Sequence, residues 1–338
     1  MPSRHAANLV PHISGTHLHS VYLEGLMNIK QIVVAGAGTM GYSMAQIFAR
    51  YGYQTTVYDI AREPLDAARE HIAQLSDNLV ANDSLTNEER TQLLARISYT
   101  TNTDCFADCD MVVESIVENL EVKQGFYRQI SPIVRPDAIV ATNTSGLSIN
   151  KIAEAVANPE RFIGMHWFNP SNIIPLIEII RGDATTDATA QTVREVALSC
   201  HKKPVTVNKD VPGFAANRIQ FAVLREALHM VEEGIIDKQG VDDVMRYGLG
   251  LRYACLGPLA IADFGGLDTF YHIASYLNRD LCCDAEPSQL LKELYESGSY
   301  GVKNGKGFYS YEGDQALEAT QQRDAAYLSV ARALGLID

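Results

Sequence analysis

The sequence predicts an α/β protein, a doubly wound and mostly parallel sheet followed by an all-α domain, and three observations carry that prediction. Short apolar runs of strand length alternate with amphipathic stretches of helix length through the first two thirds of the chain. A glycine-rich turn, GAGTMG, joins the first of these runs to the first of these stretches. Beyond Val211 the strand-like runs stop and the pattern becomes almost wholly helical. With 338 residues, 46% hydrophobic and 20% charged, the chain is long enough for two cores. The reading divides it into 1–26, 27–210 and 211–338.

Residues 1–26 carry His5, His12, His17 and His19 at irregular spacing and lack the continuous apolar stretch of a secretory signal. They read as a disordered extension, with Met27 resembling a natural start. No metal site is expected there, because the histidines lack Cys, Asp or Glu at ligand spacing. A strand then runs from Ile29 to Ala35, and GAGTMG (Gly36, Ala37, Gly38, Thr39, Met40, Gly41) opens a helix through Met44, Ala45, Ile47, Phe48 and Tyr51. Gly36 allows the tight turn, Gly38 lets the backbone approach a pyrophosphate, and Gly41 permits close helix–strand packing. The first turn of the helix, including Thr39 and Met40, offers N–H groups to phosphate. The next strand, Thr55–Tyr58, ends in Asp59, placed about 20 residues beyond the turn, where an acid accepts hydrogen bonds from a ribose 2′-hydroxyl. The pattern is that of a Rossmann-type domain, and Asp59 selects NAD over NADP because a carboxylate repels a 2′-phosphate. Arg62 is an arginine near enough in sequence to accommodate such a phosphate, but reads rather as a solvated charge on the following helix.

Further strands are expected at Met111–Val113, Ala138–Ala141, Phe162–Trp167, Leu176–Ile180 and Pro204–Val207. Helices are expected at Pro64–Val80, Asn87–Ala95, Leu120–Ser131, Ile149–Ala157 and Ala188–Cys200. Ligands of such sheets bind beyond the carboxyl ends of the strands, where Glu114, Asn143 to Ser145 and His166 to Asn169 fall. The run GMHWFNP holds His166 and the run PLIEII holds Glu178, each a polar residue inside an apolar strand. A carboxylate beside an imidazole fixes its tautomer and stabilises the imidazolium, so the pair reads as a general base working near neutral pH. Past Val211, DVPGFAANRI begins a helical half, with helices at Phe214–Glu233, Lys238–Arg246, Pro258–Leu277 and Ser288–Ser297.

A net charge of -13 argues against nucleic acid or an acidic membrane surface as partner. No apolar run approaches the length of a membrane span. The six cysteines show neither metal-ligand spacing nor a disulfide framework, which fits a reducing cytoplasm.

Taken together, GAGTMG, Asp59, VVESIVENLEVK, ATNTSGLSI, GMHWFNP, PLIEII, PGFAANRI, GLDTF and GVKNGKGFYSY follow the order and spacing of the 3-hydroxyacyl-CoA dehydrogenase family from about Met27 to Tyr311. The resemblance implies NAD-dependent interconversion of an (S)-3-hydroxyacyl and a 3-ketoacyl group by a homodimer. By position His166 resembles the family's general base, Glu178 its orienting carboxylate, and Ser145 and Asn217 the groups that bind the reacting oxygen. Glu118, Lys123, Asn169 and Lys303 match positions that contact the cofactor, and Asn143 lies beside them at a strand end.

Departures from the family pattern bear on the substrate. The stretch Leu75–Glu89, LSDNLVANDSLTNEE, holds no Lys or Arg where family members that use acyl-CoA carry lysines near the CoA phosphates. Pro175 stands where a lysine is common, and the NPxxxxPLxE pattern from Asn169 to Glu178 resembles relatives acting on CoA-free acids, the carnitine and gulonate 3-dehydrogenases. The motif set as a whole, GVKNGKGFYSY included, resembles the short-chain CoA enzymes. Trp167 reads as core packing beside the site or, if exposed, as a face for a cationic group.

Overall fold

The computed structural model describes residues 28–337; the expected extension 1–26 lies outside them. Eight strands form one sheet in the order β3-β2-β1-β4-β5-β6-β7-β8. They are β1 Gln31–Ala35, β2 Gln54–Tyr58, β3 Ile97–Thr100, β4 Met111–Glu114, β5 Ile139–Thr142, β6 Phe162–Trp167, β7 Leu176–Arg181 and β8 Lys203–Val207. All neighbours pair in parallel except β6 and β7, which run antiparallel. The order reverses at β1, so the crevice between β1 and β4 is the topological switch point where such sheets bind ligands.

Side chains alternate across the sheet, and both faces are covered. One face carries Val34, Met111, Ile139, Ile163, Met165, Trp167, Ile177 and Ile179 in a core shared with Met44, Phe48, Leu65, Ile72 and Val193. These come from α1 Thr39–Arg50, α2 Arg62–Ala81 and, further along, α6 Asp187–Ser199; α3 Asn87–Ala95 adds Leu93. The other face carries Val33, Val112, Val140, Phe162 and Ile180 against Phe126, Tyr127, Ile149 and Ile152 of α4 Leu120–Ile130 and α5 Ile149–Ala153. Each large apolar side chain buried here contributes roughly 1.5–3 kcal/mol relative to exposure. The alternation places the site. With Met165 and Trp167 directed to the first face, His166 must point to the second, and Glu178 follows because Ile177 and Ile179 also take the first. The register sets His166 directly opposite Glu178.

Sequence reading missed β3, whose four residues ISYT are at most half buried and carry too short an alternation to be seen.

Residues 217–336 form a second compact unit. Its helices are α7 Ala216–Glu232, α8 Lys238–Val244, α9 Gly250–Cys255, α10 Pro258–Gly265, α11 Leu267–Leu277, α12 Gln289–Glu296 and α13 Gln315–Ala333, with a π-helical turn Met245–Leu249 between α8 and α9. The single helix expected over Pro258–Leu277 is two, because Gly266 adopts φ +89° and ends α10. Leu228, Ile261 and Ala331 are its buried hydrophobics among the described residues, whereas Phe221, Tyr247, Leu259, Phe264 and Tyr271 are well exposed.

Candidate active site

His166 Nδ1 lies 2.9 Å from Glu178 Oε2, and both residues are buried. An ionised carboxylate only accepts, so Nδ1 carries the proton and donates, which leaves Nε2 as the acceptor. The other oxygen, Oε1, receives the backbone N–H groups of Ala215 at 3.0 Å and Ala216 at 2.8 Å. Burial alone would push the Glu178 carboxyl up, but the hydrogen bonds from His166, Ala216 and Ala215 outweigh it and hold the carboxyl below its ordinary range. The imidazole contacts two aromatic rings, Phe168 at 4.4 Å between ring centres and Phe214 at 5.8 Å. The arrangement is a fixed proton acceptor with a counter-charge behind it.

The turn after β1 fits a dinucleotide. Gly36 adopts φ +106°, and a Cβ there would meet Ser115 O at 2.4 Å. A Cβ on Gly41 would meet Gly36 O at 1.8 Å, so helix and turn touch as closely as backbone allows. A Cβ on Gly38 would meet nothing within 4 Å, leaving an open cradle against exposed backbone. Thr39 and Met40 begin α1, whose first N–H groups have no partner within the helix. Asp59 accepts from Ala37 N at 2.9 Å through Oδ2 and from Ala61 N at 3.2 Å through Oδ1. Its carboxylate is thereby fastened beside the turn with lone pairs left for ribose hydroxyls. Arg62 pairs with Asp66 at 3.2 Å on the exposed face of α2, as a solvated charge.

A buried polar network joins the ends of β4 and β5. Glu114 is fully buried and accepts from Lys123 Nζ at 2.5 Å, Tyr127 OH at 2.9 Å, Thr142 Oγ1 at 2.7 Å and Ile116 N at 2.8 Å. Lys123, also fully buried, lies 3.4 Å from Glu118 Oε2. Glu118 in turn accepts from Thr144 Oγ1 at 2.6 Å and Ser145 N at 2.8 Å. Burial opposes its charge, yet Thr144, Lys123 and Ser145 together hold its carboxyl below the usual range. Asn143 ties β5 to β6 by accepting from Trp167 N at 2.8 Å. The chain of hydrogen bonds therefore links Glu114, Lys123 and Glu118 to exposed Ser145. Asn169 lies two residues past the end of β6, Asn217 follows the two N–H groups that bind Glu178, and Lys303 belongs to the helical unit in a turn between α12 and α13.

Trp167 proves to be a core residue: it is 3% exposed, stacks edge-on against Phe48 at 5.5 Å, and has the protein's own Lys202 Nζ 5.4 Å from its ring. Sequence reasoning counted Lys202, with Arg69 and Lys203, among the cations that could face an anionic ligand; the structure instead buries Lys202 on the carbonyls of Ser171 and Ile174, and Phe214 had been given only a place on a helix. The signal for Phe214 was the Pro-Gly pair before it.

A family model described as 3-hydroxyacyl-CoA dehydrogenase, NAD binding domain, matches residues 31–211, and one described as 3-hydroxyacyl-CoA dehydrogenase, C-terminal domain, matches residues 213–311. The chain belongs to the 3-hydroxyacyl-CoA dehydrogenase family. This dehydrogenase is an NAD-dependent oxidoreductase. It is 36% identical over 307 residues to a 5-formyl-3-hydroxy-2-methylpyridine 4-carboxylate 5-dehydrogenase of Mesorhizobium japonicum, covering 90% of this chain and 98% of the relative. It is 37% identical over 289 residues to a 3-hydroxybutyryl-CoA dehydrogenase of Bradyrhizobium diazoefficiens, covering 84% and 96%. Among solved structures, a 5-formyl-3-hydroxy-2-methylpyridine 4-carboxylic acid 5-dehydrogenase superposes with a TM-score of 0.85 at 35% identity, over 91% of this chain and 99% of that one. An (S)-3-hydroxybutyryl-CoA dehydrogenase from Ralstonia eutropha gives 0.72 at 36% identity, over 84% and 100%.

Proposed function

We propose that the dehydrogenase interconverts short-chain (S)-3-hydroxyacyl-CoA, 3-hydroxybutyryl-CoA first, and the 3-ketoacyl-CoA. The observation that carries this reading is the His166–Glu178 pair, with Nε2 left as acceptor at the carboxyl edge of a sheet whose first turn is built for NAD. His166 Nε2 takes the proton of the 3-hydroxyl, and Glu178 stabilises the imidazolium that results. NAD, when bound, accepts the hydride from carbon 3. Ser145 and Asn217 hold the oxygen as it becomes a carbonyl; a donor aimed at such developing charge lowers a barrier by about 3 kcal/mol. Glu118, Lys123, Asn143, Asn169 and Lys303 are assigned to the cofactor. The acting form is a homodimer joined through the helical unit, whose exposed Phe221, Leu259 and Phe264 support a covered apolar face. A reducing compartment, the cytoplasm, is consistent with six free cysteines.

A second reading, oxidation of a CoA-free 3-hydroxy acid of the carnitine or gulonate kind, is favoured by the end of α2 and start of α3. There Asp77, Asp83, Glu88 and Glu89 outnumber the cations that reach the stretch from outside it, Arg90, held by Asp77 at 2.6 Å, and Arg50, 3.4 Å from the carbonyl of Ser84. Such a field disfavours the CoA phosphates.

NADH oxidation by the purified protein, measured with acetoacetyl-CoA, acetoacetate and dehydrocarnitine in parallel, separates the two. Turnover of acetoacetyl-CoA with a KM within the usual enzyme range of about 1 μM to 1 mM supports the thioester. Silence there with activity on a free acid replaces it by the second reading. In either case His166→Gln is expected to keep NADH affinity within about twofold and to lose at least about 1,000-fold in kcat. Retained turnover removes His166 from the mechanism.

A further inference from the structure

We propose that the turn Val211–Phe214 is a positioning element of the general base, holding two backbone donors on Glu178 through the conformation of Phe214 and a ring against His166. The proposal rests on the reading of His166 as that base. Phe214 N donates to Val211 O at 3.0 Å, Pro212 precedes, and Gly213 adopts φ +76°; these are the marks of a type II turn. Phe214 then adopts φ +50°, the left-handed region that favours glycine. A glycine would satisfy this backbone without strain. A phenylalanine there, 2% exposed, indicates that the side chain is needed, and its ring meets the imidazole edge-on with 5.8 Å between ring centres.

The two left-handed residues aim the next two N–H groups, of Ala215 and Ala216, at one oxygen of Glu178. His166 from β6 and these two neutral donors are the groups that face the carboxylate. The donors draw charge from Glu178, so it remains an anion when its neighbour becomes protonated. The proton therefore stops on the imidazole, from which it can return to substrate in the reverse reaction.

The test uses full-length protein and the pH dependence of kcat/KM for alcohol oxidation with NAD. The substrate is (S)-3-hydroxybutyryl-CoA or carnitine, whichever class turned over above. In Gly213→Ala the added Cβ strains the positive φ and loosens both donors. The carboxylate becomes more basic, and the acid limb is expected to move up by about 0.5–1 pH unit. Glu178→Gln, which deletes the charge, moves that limb down. Phe214→Asn tolerates the left-handed backbone but lacks the ring; it is expected to keep the limb in place while kcat falls about tenfold and NADH affinity stays within about twofold. An unmoved or lowered limb in Gly213→Ala overturns the donor half, and a kcat within twofold of wild type in Phe214→Asn overturns the ring half. If Gly213→Ala does not fold, as judged by NADH binding, Phe214→Asn decides the ring half, and Ala216→Pro at the first position of α7, which removes one of the two donors, decides the donor half by the same upward move of the limb. Turnover retained in His166→Gln withdraws the base itself; His166→Gln inactive with both turn variants unchanged withdraws only the turn.

Discussion

Lys202 lies in the run HKKP between α6 and β8, where a charge would be expected on the surface, yet it is 6% exposed. Its ammonium donates to the carbonyls of Ser171 and, at 3.0 Å, Ile174, pinning the segment that follows Asn169. Burial and, after it, the like charge of Arg50 pull its pKa down to about 8. The unfolded side chain keeps its proton to 10.5, so between pH 8 and 10.5 the unfolded state binds more protons and folding gains as pH rises. Wild type should therefore gain up to about 3 kcal/mol relative to Lys202→Met across that window, read from urea unfolding at several pH values. A constant difference would mean that the ammonium is not shielded from water. His166 and Glu178 were legible because each interrupts an apolar strand. The burial of Lys202, which the sequence offered as a cation free to meet an anionic ligand, was not, since it comes from a segment about thirty residues earlier folding over it.

The β1–turn–α1 element makes two glycines separable. Gly41→Ala drives a Cβ to within 1.8 Å of Gly36 O and must push the helix off the turn, with loss of several degrees in Tm and of NADH binding. Gly38→Ala meets no protein atom within 4 Å and should fold as well as wild type while losing about tenfold or more in NADH affinity. Calorimetry and fluorescence titration on both variants check this; equal effects on stability would contradict the distinct geometries. The motif was plain in the sequence because strand, glycines, helix and Asp59 stand in fixed order. Boundaries were less so: β3 hides in a short half-buried run, and Gly266 divides a helix that periodicity alone joins. α9 and α13, absent from the sequence reading, lie in stretches whose apolar residues are largely exposed, so their periodicity carries no core signal.

The 37.1 kDa chain carries a net charge of -13 and a helical unit with few buried hydrophobics. Sedimentation at micromolar concentration is expected to return twice the chain mass, and changing Phe264 to Asp should shift the protein toward a single chain; such an interface buries about 1,200–2,000 Å² or more. A monomer at all concentrations would dismiss the dimer. The change of character at Val211 was readable because the apolar strand-like runs stop there and helical periodicity alone continues, whereas the partner of a helix face is written in no single chain.

The pairing of His166 with Glu178 as opposite residues of antiparallel strands has one more consequence. A slip of one residue between β6 and β7 would turn one of the two toward the wrong face of the sheet. With the pair in the role proposed above, catalytic competence is a built-in reporter of folding fidelity: a conformer with the wrong strand alignment, however compact, is expected to be chemically silent, and specific activity to measure the fraction of molecules whose strands are in step.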